Sequence, residues 1–259
     1  MEKFITHNQK SWDKQAEEQG AWSTPVSCEQ IEQAKQGNWE VHLTPQPLPK
    51  EWLGNIKGKK ILCLASAGGQ QAPILSAAGA EVVVFDLSEK QLDKDRKVAE
   101  QNNLSLQAVQ GDMRDLSAFA NESFDIVFNP ISNLYIPDVN EVWKEAHRVL
   151  RQGGSLLCSF YNPIVFVGDK AEEYREQGVI KPIHSIPYSE IDEASEEEKA
   201  RKEKNGEAFV FGHSLSDLIG GQIRAGFSID GFVEEYQPHP RFVIDHYLPT
   251  FLGTKALKK

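Results

Sequence analysis

Two hydrophobic rhythms alternate along this chain, and the switches between them mark its elements. Short apolar runs at Lys60-Ile61-Leu62-Cys63-Leu64, Val82-Val83-Val84-Phe85 and Phe124-Asp125-Ile126-Val127-Phe128 predict strands, the second covered on both faces of a sheet. Weaker runs at 105–109 and 155–160 predict two more strands. Helical stretches lie between them. One passes through Leu75 and ends at Gly79, and a second opens at Ser88-Glu89-Lys90-Gln91, a capping-box spacing. The clearest helix carries Val139, Val142, Trp143, Ala146, Val149 and Leu150 in one stripe. Asp138 and Glu141 cap its start, and Gly153-Gly154 follow its end. Strands alternating with helices over short links predict parallel pairing through right-handed crossovers. Residues 58–161 therefore read as a doubly wound α/β sheet. Ligands of such sheets bind beyond the carboxyl ends of the strands, near the point where strand order reverses.

The flanks follow other patterns. Residues 1–57 are polar, hold four of the five tryptophans, and predict a helical appendage laid over the core. Ser27-Cys28-Glu29-Gln30 has capping-box spacing, Gly37 would end that helix, and Pro45, Pro47 and Pro49 predict an extended connector. In residues 162–259, Ser214 would cap a helix ending near Gly226. Strands are expected over 227–235 and 248–256. Residues 189–207 have no large aliphatic side chain except Ile191 and read as a solvated helix or loop.

Charge then narrows the function. The 259 residues include 28 Lys+Arg against 38 Asp+Glu, a net charge of −10. That balance argues against a general nucleic-acid or anionic-membrane binder, which needs a cationic surface. Eight acidic and four basic residues fall within 189–207, so part of the acidity lies outside the sheet. No apolar run approaches the roughly 20 residues of a membrane-spanning helix. The start, Met1-Glu2-Lys3-Phe4 followed by polar residues, has no apolar signal core, which predicts a cytoplasmic chain. Cys28, Cys63 and Cys158 are far apart with no metal-like spacing and read as reduced thiols. Cys63, in mid-strand, reads as a small buried hydrophobe rather than a nucleophile.

The candidate chemistry lies at the strand ends. The small residues Ala65, Ser66, Ala67, Gly68 and Gly69 let a turn approach a ligand after the first strand. Asp86 ends the second strand, where a carboxylate can accept from both hydroxyls of a ribose; a turn-forming Asp is the alternative. Asp112 and Met113 follow the third strand, suited to an adenine amino group and base face. A turn residue and a core filler are their alternatives. Asn129 follows the fourth strand. No G-x-G-x-x-G triplet is present, which argues against a nicotinamide-dependent oxidoreductase.

Taken in order, Lys60 to Gly69, Asp86-Leu87-Ser88, Gly111-Asp112-Met113, Phe124 to Phe128 and Arg148-Val149-Leu150-Arg151-Gln152-Gly153-Gly154 resemble the class I S-adenosylmethionine-dependent methyltransferases. The resemblance covers 58–161 well and 212–257 more loosely. It implies a mostly parallel, seven-stranded Rossmann-like sheet, with 1–57 as an N-terminal cap and about 163–207 as a lid-like insertion. The final helix and strand pair would complete the same domain. It further implies that Ala65, Ser66, Ala67, Gly68 and Gly69 hold the methionine part of S-adenosylmethionine, with Asn129 beside it. Asp86, with Leu87 and Ser88, would take the ribose, and Asp112 and Met113 the adenine. S-adenosylhomocysteine would be the product. The chain departs from the family at Cys63, where an acid is usual, and at Ala65 and Ala67, where glycines are usual. Tyr135, Tyr161 and His184 are the candidates for the acceptor site, each with packing or plain exposure as its alternative. Trp12 and Trp22 could close the pocket. Asn129-Pro130 partly echoes the Asn-Pro-Pro-aromatic signature of nucleic-acid amino-methyltransferases, but Ile131 and Ser132 break the match. A small-molecule methyl acceptor is thus expected, with no membrane partner. A non-catalytic binding or regulatory protein of the same fold, or a nucleic-acid methyltransferase, are the alternatives.

Overall fold

The computed structural model describes residues 3–259; Met1 and Glu2, the start of the segment read for a signal core, lie outside it. Three helices open the chain: α1 (Lys3–Glu17), α2 (Cys28–Lys35) and α3 (Lys50–Leu53). The core then alternates β1 (Lys60–Leu64), α4 (Gln71–Ala77), β2 (Glu81–Asp86), α5 (Glu89–Asn102), β3 (Leu106–Gln110), β4 (Phe124–Asn129), α6 (Val139–Val149) and β5 (Leu150–Tyr161). The insertion carries α7 (Glu172–Gln177), β6 (Tyr188–Ser189), α8 (Glu190–Glu193), α9 (Glu196–Asn205) and β7 (Phe211–Gly212). Helices α10 (Leu215–Leu218) and α11 (Gly220–Arg224) and strands β8 (Phe227–Glu235) and β9 (Phe251–Lys258) close the chain.

Seven strands form one sheet in the order β3-β2-β1-β4-β5-β9-β8. β3 through β5 are parallel, and β9 runs antiparallel between β5 and β8. The order reverses between β1 and β4, which opens a crevice beyond their carboxyl ends. One face packs against α6, α10 and α11 around the fully buried Trp143. The other face packs against α2, α4 and α5, and includes Val41, Leu43, Leu48, Leu53 and Ile56 from the N-terminal segment. The "appendage" is therefore part of the core layer.

Four local expectations are corrected. The proline segment is not extended: Leu48 N–H bonds the Val41 carbonyl at 2.8 Å, and His42 pairs with Pro47. Burying Val41, Leu43 and Leu48 folds the chain back between its prolines. The fifth strand is not confined to 155–160: Gly153-Gly154 follow the end of α6 as expected but lie within the strand. β5 begins directly off α6 at Leu150, and the glycines form an irregularity in it, with Gly153 at φ 74°. The helix expected from Ser214 to Gly226 is split at Ile219, beside Gly221. A side chain at Gly221 would come within 2.8 Å of Trp143, so close packing on α6 overrides helical continuity. At Ser88 only half of a capping box forms: its hydroxyl accepts from Gln91 N–H. The Gln91 amide instead donates to Ser23 Oγ at 2.6 Å, and Ser88 N–H turns to Asp86.

Trp143 combines full burial with a 2.9 Å bond from its indole N–H to the Asp217 carbonyl. Trp143→Ala should lower the unfolding free energy by about 3–5 kcal/mol, read from urea denaturation.

Candidate functional site

The crevice at the β1/β4 reversal is a cleft of about 1220 Å³ counted out to its open mouth. Its floor is the turn after β1. Ala65 has φ 47°, Ala67 φ 66° and Gly69 φ 74°, all left-handed. Such a conformation costs a residue with a side chain roughly 1–2 kcal/mol. The turn thus keeps a glycine-like path despite its alanines, and Ala65, Ser66 and Ala67 line the cleft.

Gly68 and Gly69 face away from it. A side chain at Gly68 would lie 2.6 Å from the Gln91 carbonyl oxygen and 3.0 Å from Gln91 Cα, so the turn rests directly on α5. The Gly69 N–H donates to Asp95 Oδ1 at 2.8 Å, and its carbonyl accepts from Val26 N–H at 2.8 Å. Asp95 is fully buried, and its Oδ2 has no hydrogen-bond partner. Burial above all, with the Asp86 charge adding, holds its pKa well above the ordinary carboxylate range, while the Gly69 bond and Arg96 oppose this. Cys63 is also buried, and its thiol pKa is pushed up by burial and by Asp95.

The second wall comes from β2. Asp86 lines the cleft while its Oδ1 accepts from Ser88 N–H at 2.8 Å, so the turn and ligand-facing roles coexist in one carboxylate. Its pKa is raised to about 6, chiefly by burial, with Asp13 contributing; bonds from Ser88 and Leu87 oppose the rise. Leu87 lines the cleft, but Ser88 is buried behind it and donates to Asp13 Oδ1 at 2.6 Å. At the end of β3, Asp112 and Met113 line the cleft. Asp112 is already gripped by Arg114, whose NH2 group reaches Oδ2 at 2.8 Å. Met113 is buried, with its sulfur 3.8 Å from Ser132 Oγ. Asn129 sits under the far end: its amide donates to the Leu64 carbonyl at 2.8 Å and to Ser132 Oγ at 2.9 Å. Its buried Oδ1 has no partner.

The roof comes from α1, which adds Phe4, Ile5, Asn8 and Trp12 to the lining, and from Trp22. Asn8 pins this helix: its amide donates to the Phe209 carbonyl at 3.1 Å and the Tyr135 carbonyl at 3.2 Å. Its oxygen accepts from Phe209 N–H at 2.8 Å. Tyr135 lines the cleft and meets Trp12 edge-on at 5.1 Å. Burial raises the pKa of its hydroxyl. Tyr161 also lines the cleft. His184 does not: it bonds Glu193 at 3.1 Å and lies 4.4 Å from the Tyr188 ring.

Of the residues expected at the site, the fold brings Ala65, Ser66, Ala67, Asp86, Leu87, Asp112, Met113, Tyr135 and Tyr161 to one cleft. Gly68, Gly69, Ser88 and Asn129 lie behind that wall, and His184 lies elsewhere. The residues not foreseen are Asn8, Asp13 and Asp95. Their partners Phe209, Ser88 and Gly69 are 201, 75 and 26 residues away, and no local motif links them.

Comparisons with known proteins agree with this geometry. Residues 62–158 match the model of the methyltransferase domain family. An uncharacterized methyltransferase of Bacillus subtilis, YbaJ, is 47% identical over 259 residues, the whole of both chains. A ubiquinone biosynthesis O-methyltransferase of Pseudomonas syringae is 28% identical over 119 residues, which span 45% of this chain and 51% of that one. Among solved structures, an S-adenosylmethionine-dependent methyltransferase of Mesorhizobium loti superposes with a TM-score of 0.61 at 21% identity, covering 80% of this chain and 94% of that one. This second chain shares the fold. The chain belongs to the methyltransferase domain family. Among the described residues, no helix is long and apolar enough to cross a membrane, and no cluster of side chains suits a metal ion.

Asp95 gives the first test of how the floor is held. Asp95→Ala strands the Gly69 N–H in a buried position and should cost about 1–3 kcal/mol. Asp95→Asn keeps an acceptor and removes the titration. A carboxyl whose folded pKa is raised makes the wild type lose stability as pH rises above the unfolded value of about 3.9. The loss continues until the folded-state pKa is passed. Urea unfolding from pH 4 to 8 should therefore show Asp95→Asn gaining on the wild type as pH rises.

Proposed function

We propose that this chain moves a methyl group from S-adenosylmethionine to an N, O or C atom of a small molecule. The observation that carries the proposal is the continuous wall formed by the left-handed turn at 65–67, Asp86, and Asp112 with Met113, at the reversal of strand order. The first would hold the methionine part, the second the ribose, and the last two the adenine. When bound, the cofactor would supply a methyl group activated on a sulfonium, to which an acceptor atom could bond in line as the carbon–sulfur bond breaks and the thioether S-adenosylhomocysteine leaves.

The residues present fit that group. A carboxylate accepts at about four lone-pair sites, so Asp86 can hold a ribose diol while still bonding Ser88 N–H. Asp112 likewise keeps acceptor capacity beyond Arg114. With Cys63 a buried thiol of raised pKa, no charge stands at that point of β1. The unpaired Oδ1 of Asn129 is a neutral acceptor at the same end of the sheet.

The rest of the chain's work is positioning and exclusion of water. Trp12, Phe4 and Ile5 cover the cleft with apolar surface. Tyr135 keeps its proton, because burial opposes its ionisation; it can donate a hydrogen bond but cannot serve as a base near neutral pH. His184, held by Glu193 outside the cleft, is out of reach of an acceptor there.

Calorimetric titration with S-adenosylhomocysteine tests the proposal. Binding is expected, and Asp86→Ala should weaken it at least tenfold. Because the Asp86 pKa is raised to about 6, the carboxyl is protonated below that pH and loses its charge-assisted acceptance. The dissociation constant should rise as pH falls through about 6. Asp13→Asn should move that midpoint downward by removing a like charge. Absence of binding at millimolar concentration would remove the basis of the proposal.

A further inference from the structure

Tyr161 ends β5 and lines the cleft, but the partner of its hydroxyl lies outside. The Arg241 guanidinium donates to it at 2.8 Å. A guanidinium has only donors, so the Tyr161 oxygen is the acceptor and its own proton remains available to donate. Arg241 Cζ lies 5.4 Å from the Tyr161 ring centroid and 5.6 Å from that of Phe242. The Lys170 ammonium rests against the same Phe242 ring at 5.3 Å and against Phe166 at 5.6 Å. Lys170 is an exposed residue whose ammonium lies against the two rings. Burial lowers its pKa, with Lys202 and Arg241 adding and Glu190 opposing.

Neither cation forms an ion pair with a carboxylate among the described residues. Glu190 is engaged by Lys202 at 2.6 Å. Buried Asp245 is engaged by the backbone N–H groups of Arg241 and Phe242, at 2.8 and 2.9 Å, and by the Thr250 hydroxyl at 2.8 Å. Those bonds fix the backbone that carries Arg241 and leave its side-chain charge uncompensated. In a chain with ten more acidic than basic residues, two cations share the Phe242 ring with no ion-pair partner among the described residues. Both line a second cavity with Arg175 and with Asp169, which has Lys181 at 3.8 Å, and the Arg241–Tyr161 bond links that cavity's lining to a residue of the cleft. The Arg241 charge also reaches the Tyr135 hydroxyl, where it opposes the effect of burial.

We propose that Arg241, Lys170 and the Tyr161 hydroxyl form an oxyanion subsite, and that the methyl acceptor is a small molecule bearing a carboxylate or a phosphate. The proposal rests on the methyl-transfer reading above and assigns the acceptor its charge. Arg241 and Lys170 have only donors, and the Tyr161 hydroxyl, accepting from Arg241, has its proton left to donate, which favours an anion. The planar guanidinium suits two oxygens of either group. The rings of Tyr161 and Phe242 flank the guanidinium, and those of Phe166 and Phe242 the ammonium.

The experiment titrates benzoate and, separately, inorganic phosphate into the full chain, with and without saturating S-adenosylhomocysteine, and follows binding by calorimetry. At least one anion should bind in the millimolar range, and the tighter one identifies the acceptor's group. Arg241→Gln and Lys170→Gln should each weaken that binding at least tenfold, while the S-adenosylhomocysteine affinity stays within twofold. Benzamide, neutral and of the same shape as benzoate, should not compete. Absence of binding by both anions, equal binding to the variants, or competition by benzamide overturns the subsite. Anion binding without S-adenosylhomocysteine binding would instead overturn the methyl-transfer reading, so the two failures are told apart.

Discussion

The turn after β1 is pressed onto α5 until no side chain fits at Gly68, and the cleft depends on that contact. Helix α5 holds the turn from below through Gln91 and Asp95. At its own start, Ser88 is held by Asp86 and Asp13. One helix thereby sets both the backbone of the floor and the carboxylate of the adjoining wall. Val26 ties the N-terminal segment to the same turn. The left-handed alanines follow from this clamping: a turn gripped on two sides can hold residues in a conformation they would leave if free.

The central sheet was legible because its strands are buried on both faces. Burial of that kind writes long apolar runs into the chain, and β1, β2, β4 and the α6 stripe fall within a residue or two of their expected places. The rim of the site followed from topology, since parallel strands put their carboxyl ends on one side. Where reasoning along the chain failed, a distant contact had overruled a local signal. Prolines at 45, 47 and 49 bias the backbone toward extension, yet Val41 and Leu48 are drawn into the core and bend it. Gly221 meets Trp143, so a helix breaks. The acid-rich insertion forms helices with local signals, as in the Ser195/Glu198 capping box of α9. No local signal foretold the fold-back that puts His184 against Tyr188. The roof of the cleft, supplied by Asn8 and its neighbours, depends on partners some two hundred positions away.

Charge in this molecule is arranged locally rather than in bulk. The net acidity includes the solvated helices of the insertion, while the cleft has its own pattern. Asp13 and Asp86 crowd one wall at the start of α5, and Arg241 with Lys170 lies beyond the opposite one. Between them stand Phe4, Trp12, Tyr135 and Tyr161, low-dielectric surfaces that let each end keep its own field.

The Asn8 clasp also bears on how the chain is made. α1 leaves the ribosome before the strands of the sheet, but it docks on the Phe209 backbone, 201 residues after Asn8. Closing so long a loop is slow, and contacts this distant form late. During synthesis the sheet can assemble as its strands emerge, while α1 waits with its apolar face uncovered. The Asn8 clasp closes only once Phe209 has emerged, so a chain cut short before 209 would carry a wall for a ligand without the clasp that pins its roof.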